Sequence, residues 1–426
     1  MKIGELAKNC GVSKATIRFY MGNGLLIPNE NGGNYSFSEQ DQDDLQTILR
    51  MKEQQFSLKE IQSYISLKRM SNLIEPDTID ECLRIMENKK LELNAKIEIL
   101  QRAILGIDKQ IVTLTSQSFG SPQHTGLPIR ALPLLRCPLC GKPLLVDSAV
   151  LDSQYIFSGS LNCSCGYHAA IRNGIIRTGN RYTGTHDQPN LRRELYRNMG
   201  SKYNICIQKC YNHMASDLND IELSGKVVLE ANINGHFYLY SHFEQFPDDC
   251  LFIVTDKYYE MLEMYKSLIE LLNLKKNILY IADADSQYPL RFGCIDLHIS
   301  FMGENEYQFY HQANFIQDIN QWMKTGAVVI GSYMSYAPGS QSFDKVRKKY
   351  PECSSNGFNI KKLRENYMAE GYQPQIIEIG QLEKTVNRFC FECHVDGEPL
   401  FIHYFQAHRK RCKQFEQVEP DIDPAF

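Results

Sequence analysis

The spacing of apolar residues divides this chain before anything else is considered. From Ile79 onward they fall at Ile79, Leu83, Met86, Leu93, Ile97, Leu100, Ile104, Ile107, Ile111 and Leu114. The steps alternate four and three once Lys90 is counted in the row. A seam of this period specifies a coiled coil, because a helix lying on its own core shows a wider, less regular stripe. Lys90 in that seam would set register at a cost in stability. Ahead of it, KIGELAKNCGVSKATIRFY predicts helix, tight turn, helix. Ser13 is placed to cap the second helix, with Lys14, Thr16, Arg18 and Tyr20 pointing outward and Ala15, Ile17 and Phe19 inward. The Pro, Asn and Gly residues of GLLIPNENGGNYSFSEQD predict a hairpin or wing before another helix. After the rod, TSQSFGSPQHTGLPIRALP has the Ser, Gly and Pro content of a linker.

Towards the C-terminus the period changes again. KVVLE, CLFIVTD, NILYIADAD, IDLHISFM and AVVIGSY are short buried strands, and HFYLYSHFEQF, KYYEMLEMYKSLIELL and FIQDINQWMKT are helices set between some of them. This alternation predicts an α/β, doubly wound parallel sheet, whose ligands sit beyond the carboxyl ends of the strands. Glu230, Asp256 and Asp283 all fall at such ends. An acid closing the second strand is the usual partner of a ribose hydroxyl.

Composition narrows the class. With 426 residues, 43% hydrophobic and 23% charged, the chain is a globular protein of several domains rather than a disordered one. No apolar run is long enough for a membrane span, and the N-terminus has the polar breaks of a helix rather than a signal peptide's core. The expectation is a cytoplasmic protein with no membrane partner and mostly reduced thiols. A net charge of −4 means that any DNA contact must come from a local patch. The short helix carrying Lys14, Thr16 and Arg18 is such a patch, suited to base edges and phosphates in the major groove.

Four of the 14 cysteines crowd into CPLCGKPLL and LNCSCGYH. Cys137 and Cys140, with Cys163 and Cys165, predict a closed tetrahedral thiolate site for a structural Zn²⁺. His168 is an alternative ligand because the second turn is CxC rather than CxxC. Few large apolar residues lie between 134 and 178, so metal binding is expected to supply folding energy there.

Family resemblance sharpens these readings. Residues 1–72, through IGELAK, GVS..TIRFY, GLL.P, FSEQD and FSLKEI, resemble the winged helix-turn-helix domain of MerR-family transcription regulators. That resemblance implies promoter DNA as a partner, contacted by Lys14, Thr16, Arg18 and Tyr20 and by the wing around Tyr35. It also implies a homodimer joined by an antiparallel coiled coil over 73–115, and RNA polymerase as a further partner. The wing phrase here lacks the family's usual arginine, and Met21 stands where glutamate is usual. A linker over 116–133 and a zinc ribbon over 134–180 follow. The ribbon resembles one found before some ribosomal-RNA guanine methyltransferases.

Residues 190–412 resemble a class I S-adenosylmethionine-dependent methyltransferase, leaving a tail at 413–426. By that resemblance Glu230 opens the cofactor loop, Asp256 holds the ribose, and Asp283 lies beside the adenine. The late FCFECHVDGEPLFIHYFQA matches the closing antiparallel hairpin. The loop itself departs from the pattern. Asn232, Asn234 and His236 replace its glycines, and Gly235 is out of register. Asparagine tolerates the left-handed turn, but these side chains would crowd the methyl donor. No Asn/Asp-Pro-Pro phrase is present, and Asp285, Glu304 and Glu306 are weak candidates for a base, so no catalytic residue is assigned. A nicotinamide cofactor is disfavoured because GxGxxG is missing. The expectation is a regulator that senses a small-molecule effector: S-adenosylmethionine, a relative, or a lipophilic compound lodged among Tyr and Phe residues. An active methyltransferase and a metal or thiol sensor are the alternatives.

Overall fold

The computed structural model describes residues 1–31, 34–71, 74–116, 122–193, 199–383 and 393–410. The tail at 413–426 and residues 117–121 of the expected linker lie outside these. The chain separates into two units, Met1–Ser118 and Phe119–Phe426.

In the first unit α1 (Ile3–Asn9) and α2 (Lys14–Gly22) form the expected helix-turn-helix. Gly11 takes the left-handed φ of +66° that the tight turn requires. The Ser13 hydroxyl accepts from the Thr16 amide at 3.0 Å, which caps α2 as predicted. A short hairpin follows, β1 (Asn29–Asn31) and β2 (Asn34–Ser36), then α3 (Glu39–Glu53) and α4 (Leu58–Ser71). Leu6, Ile17, Tyr20, Leu45, Ile48 and Ile61 pack together as the core. The buried Asp44 carboxylate ties α3 to α4 through Lys68 at 3.1 Å and Arg69 at 2.9 Å. Breaking such a pair from one side strands a buried charge.

The expected rod is one helix, α5 (Pro76–Thr115), roughly 60 Å long at 1.5 Å per residue. Its base is docked by Lys89, buried between Glu60 of α4 at 3.0 Å and Glu92. Lys90 is exposed. So is most of the seam: Ile79, Leu83, Ile97, Leu100, Ile104, Ile107, Ile111 and Leu114 are 40–68% exposed. Among the described residues no helix is long and apolar enough to cross a membrane.

The second unit is built on one large mixed sheet. Its first strands are β3 (Leu127–Pro128), β4 (Leu145–Leu151), β5 (Tyr155–Asn162), β6 (His168–Arg172) and β7 (Ile175–Arg177). The next elements are α6 (Ser201–Asn219), β8 (Val227–Ala231), α7 (Tyr238–His242), β9 (Leu251–Asp256), α8 (Tyr259–Leu271), β10 (Asn277–Ala282) and β11 (Ile295–Phe301). The last are α9 (Gly303–Gln308), α10 (Phe315–Ile319), β12 (Met323–Tyr336), α11 (Gln341–Lys349), α12 (Ile360–Ala369), β13 (Tyr372–Leu382) and β14 (Leu400–Arg409). The strand order is β13-β14-β12-β11-β8-β9-β10-β7-β6-β5-β3, with β4 on β5. From β12 to β7 neighbours run parallel, and β14 lies antiparallel between β12 and β13. The expected closing hairpin spans FCFECHVDGEPLFIHYFQA; β14 covers its second half and pairs with β12 and β13, while 389–392 lie outside the described residues.

Strands buried on both faces send alternate residues to opposite sides. Val228, Phe252 and Tyr280 pack beneath α6, α7 and α8, while Leu229, Ile253 and Leu279 pack with Phe315, Trp322 and Leu363. Helix α10 is shorter than FIQDINQWMKT suggested. It stops at Ile319 because Trp322 turns fully into the core, its indole N–H donating to Leu290 O at 3.2 Å, and Met323 opens β12.

Two boundaries read from sequence need correction. The cysteine-bearing segment is not a domain of its own, since β7 continues the sheet by pairing parallel with β10. Ile156, Leu161, Ile171 and Ile176 therefore join the common core, so this region does not depend on a metal for all of its burial. The second half of the expected linker is also packed, with Leu127 and Ala131 fully buried.

Candidate functional site

On the first unit, Lys14 and Arg18 are exposed along α2 and Thr16 is half-buried, its hydroxyl 2.8 Å from that of Ser13. Tyr20 is buried and Phe19 exposed, the reverse of the direction read from sequence. The reason is helical geometry: Ile17 and Tyr20, three apart, share the inner face, whereas alternate outward residues belong to a strand. Tyr35 is exposed on β2 opposite Glu30, in the wing.

The four cysteines converge at the start of the second unit. All four sulfur atoms lie within 4.8 Å of one another, and the pairs Cys137–Cys165 and Cys140–Cys163 are 3.4 Å apart. Four thiolates around Zn²⁺ at about 2.3 Å would stand about 3.8 Å apart, so this donor set fits the ion. Two knuckles make the geometry. Gly141 N donates to Cys137 O at 2.8 Å and Gly166 N to Cys163 O at 3.0 Å, with φ of +73° and +95° at the two glycines. His168 turns instead to Asn162 Oδ1 at 2.7 Å and is not part of the cluster. The CxC turn is closed by cysteine alone.

The third site lies where the strand order reverses. The chain runs outward from β8 to β9 and β10, then returns to lay β11 on the other side of β8, which opens a crevice at their carboxyl ends. Each acid expected there is bonded to the protein's own donors, and only Asp283 has all its acceptor positions taken. Glu230 is buried and accepts from the amides of Tyr238 at 2.6 Å and Leu239 at 2.8 Å, at the start of α7. Burial pushes its carboxyl up to about 8. Asp256 accepts from the amides of Asn234 and Tyr258, each at 2.8 Å, and burial holds it at about 7 against the pull of Lys257. Asp283 receives four donors: the Thr178 hydroxyl at 2.6 Å, Asn180 Nδ2 at 3.0 Å, and the amides of Asp285 and Gln287 at 2.9 and 3.0 Å. The gap beside Asn232, Asp256, Ala284 and His311 holds about 10 Å³.

The loop after β8 makes its turn without the missing glycines. Asn232 has a φ of +59°, as expected of asparagine, and its side chain donates to Gly303 O at 3.3 Å. Asn234 is the hub. Its Nδ2 lies 3.3 Å from both Asp187 Oδ2 and Glu306 Oε1, and its Oδ1 accepts from Asn190 N at 3.0 Å. Gly235 lets Glu306 approach, since a Cβ there would stand 3.3 Å from Oε2. His236 meets the Tyr203 hydroxyl at 2.9 Å, and burial, aided by Arg193, pushes it down to about 3, so it is neutral.

Beside this loop is a cavity of about 460 Å³, lined by Asn234, Gly235, His236 and Glu306, by Asp187, and by Tyr203, Phe309, Tyr310, Tyr336, Tyr350 and Phe358. Of the three acids weighed as bases, only Glu306 lines it. Glu304 is buried against the Tyr367 hydroxyl at 2.8 Å, and Asp285 is exposed near His311. Sequence reasoning missed Lys257 and Asp187. The Lys257 ammonium sits 3.1 Å from both Asp187 and Glu306 and 3.2 Å from the centre of the Tyr310 ring. A lysine directly after the acid of the second strand was the available signal.

Comparison with known proteins separates the two units. A family model described as MerR HTH family regulatory protein matches residues 1–68. A mercuric resistance operon regulatory protein of Bacillus cereus is 36% identical over 103 residues, covering 24% of this chain and 75% of that protein. The HTH-type transcriptional regulator YfmP of Bacillus subtilis is 31% identical over 137 residues, covering 25% of this chain and 98% of its own length. Among solved structures, a geranyl diphosphate methyltransferase aligns with 46% of this chain and 78% of its own, at 11% identity and a TM-score of 0.34. The helix-turn-helix geometry and the relatives spanned over most of their length agree: the chain belongs to the MerR family of helix-turn-helix regulatory proteins.

Proposed function

We propose that the chain is a dimeric promoter-binding transcription regulator whose second unit binds a small-molecule effector without transferring a methyl group. The carrying observation is that Asp256 and Asp283 accept from the protein's own donors, while a 460 Å³ aromatic cavity is lined by Asn234, Gly235 and His236 of the loop after β8. Asp283, with four donors on its two oxygens, must give one up before it accepts from a ligand, whereas Asp256 takes two and keeps acceptor capacity. The 10 Å³ left beside Asp256 has no room for a nucleoside. The exposed seam of α5 supports dimerisation, and exposed Lys14 and Arg18 support contact with the major groove. Tyr35 would add a wing contact, and RNA polymerase would be the partner that reads the outcome. A bound Zn²⁺ on Cys137, Cys140, Cys163 and Cys165 would cross-link the edge of the sheet. An effector alters DNA binding only through different affinity for two conformations.

Footprinting of the neighbouring intergenic DNA, with and without Arg18→Ala, tests the first half. A protected dyad weakened by about 1–3 kcal/mol in the variant is expected, and no dyad would refute it. The second reading, an active methyltransferase, is favoured by the left-handed Asn232, which keeps the cofactor turn in shape. Labelled S-adenosylmethionine incubated with cell extract separates the two. Steady product formation, lost on Asp256→Ala, would establish the enzyme.

A further inference from the structure

We infer that the 460 Å³ cavity is built for a cationic ligand with an aromatic body, its charge taken up by Glu306 and Asp187 beside Lys257. This rests on the effector reading above and names the ligand's chemistry. Two carboxylates share a single ammonium there, since Lys257 Nζ is 3.1 Å from Asp187 Oδ2 and from Glu306 Oε1. The side chains of Asp187 and Glu306 are only 18% and 15% exposed; burial raises the Glu306 carboxyl against the pull of Lys257, and a bound cation would favour its charged form. Both hydrogen bonds to Glu306, from Lys257 and Asn234, use Oε1. Its Oε2 lies over Gly235, where no side chain intervenes. A second cation at Oε2 would balance the group.

Among the described residues, the other charged groups nearby are engaged elsewhere. Lys349 is exposed at the end of α11, its ammonium 5.2 Å from the centre of the Tyr350 ring. His186 pairs with Glu352 at 3.0 Å. His236 is neutral. Arg193 lies over the Tyr265 ring at 5.0 Å and does not line the cavity. The rings of this region already hold a cation: Lys257 Nζ is 3.2 Å from the centre of Tyr310, 5.2 Å from Tyr258 and 5.3 Å from Tyr182. Ring faces attract an ammonium more strongly when it is stripped of water. The remaining lining offers Tyr203, Phe309, Tyr336 and Phe358 to a flat apolar body. The volume lies in the range of small-ligand sites.

Calorimetry on the full chain with three probes sharing one ring system tests this: (1-naphthylmethyl)trimethylammonium, 1-naphthalenemethanol and 1-naphthalenesulfonate. The cation is expected to bind at least about tenfold more tightly than the other two. Glu306→Gln should erase most of that preference. Lys257→Met, which removes the competing ammonium, should tighten the cation further. A merely structural lysine would instead weaken all three. Fluorescence of buried Trp322 checks that each variant is folded. Equal or tighter binding of the alcohol or sulfonate overturns the cationic class while leaving the effector cavity standing. Failure of all three to bind overturns both.

Discussion

Asp283 offers the sharpest test of whether the strand-end acids are structural. Its Oδ2 accepts from the Thr178 hydroxyl and Asn180 Nδ2, and its Oδ1 from the amides of Asp285 and Gln287. It thus pins the segment after β7 to the loop after β10. Burial raises its carboxyl and the four donors oppose that rise. In Asp283→Ala two backbone N–H groups and two side-chain donors lose their acceptor. Each buried group left unmade costs about 1–3 kcal/mol, and the two side chains can turn elsewhere, so a loss of roughly 3–5 kcal/mol is expected. Asp283→Asn keeps the oxygen facing the two amides. Its new NH₂ can donate to the Thr178 hydroxyl and, if Asn180 flips, to the Asn180 oxygen, so the loss should be about 1–2 kcal/mol. Urea unfolding followed by fluorescence reads this unit directly, because Trp322 is the chain's only tryptophan and is fully buried here. An alanine variant within about 1 kcal/mol of the parent, or an asparagine variant equally damaged, would refute the reasoning.

Three further outcomes are expected. Protein purified without chelator should carry about one zinc per chain, and Cys140→Ser should lose it while Trp322 fluorescence persists, since the common core remains; zinc-free parent protein would remove the site. Ile104→Glu, at an exposed seam position of α5, should convert a dimer to a monomer in light scattering; an unchanged mass would place the dimer contact elsewhere. His236 is held down near 3 from an ordinary 6.5, so its contribution to stability is present above pH 6.5 and lost as pH falls below it. The stability gap between the parent and His236→Asn should narrow by up to about 1.4 kcal/mol per pH unit below 6.5, read by urea titration at several pH values; a gap independent of pH would show that His236 is not held neutral.

What the chain declared by itself was local and periodic. The capped second helix, the hairpin at Tyr35, the long helix after Ile79 and the strand ends at Asp256 and Asp283 follow from spacing and turn chemistry, which act over a few residues. The CxxC of Cys137 and Cys140 and the CxC of Cys163 and Cys165 likewise announce converging thiols, because a knuckle is a local turn. Direction within a helix is already harder: alternation points Tyr20 outward, and only the 100° turn per residue brings it inside beside Ile17. Contacts between distant segments decided the rest. No pattern near residue 175 shows that β7 will pair with β10, a hundred residues on, and so merge the cysteine region into the larger core. Nor does any spacing reveal that Asp187, Lys257 and Glu306 meet, since two loops and helix α9 carry them to one point. Sequence placed acids at the mouth of a crevice. Only the tertiary structure decides whether a buried carboxylate faces a ligand or the protein's own amides, because that depends on which donors the packing brings within about 3 Å.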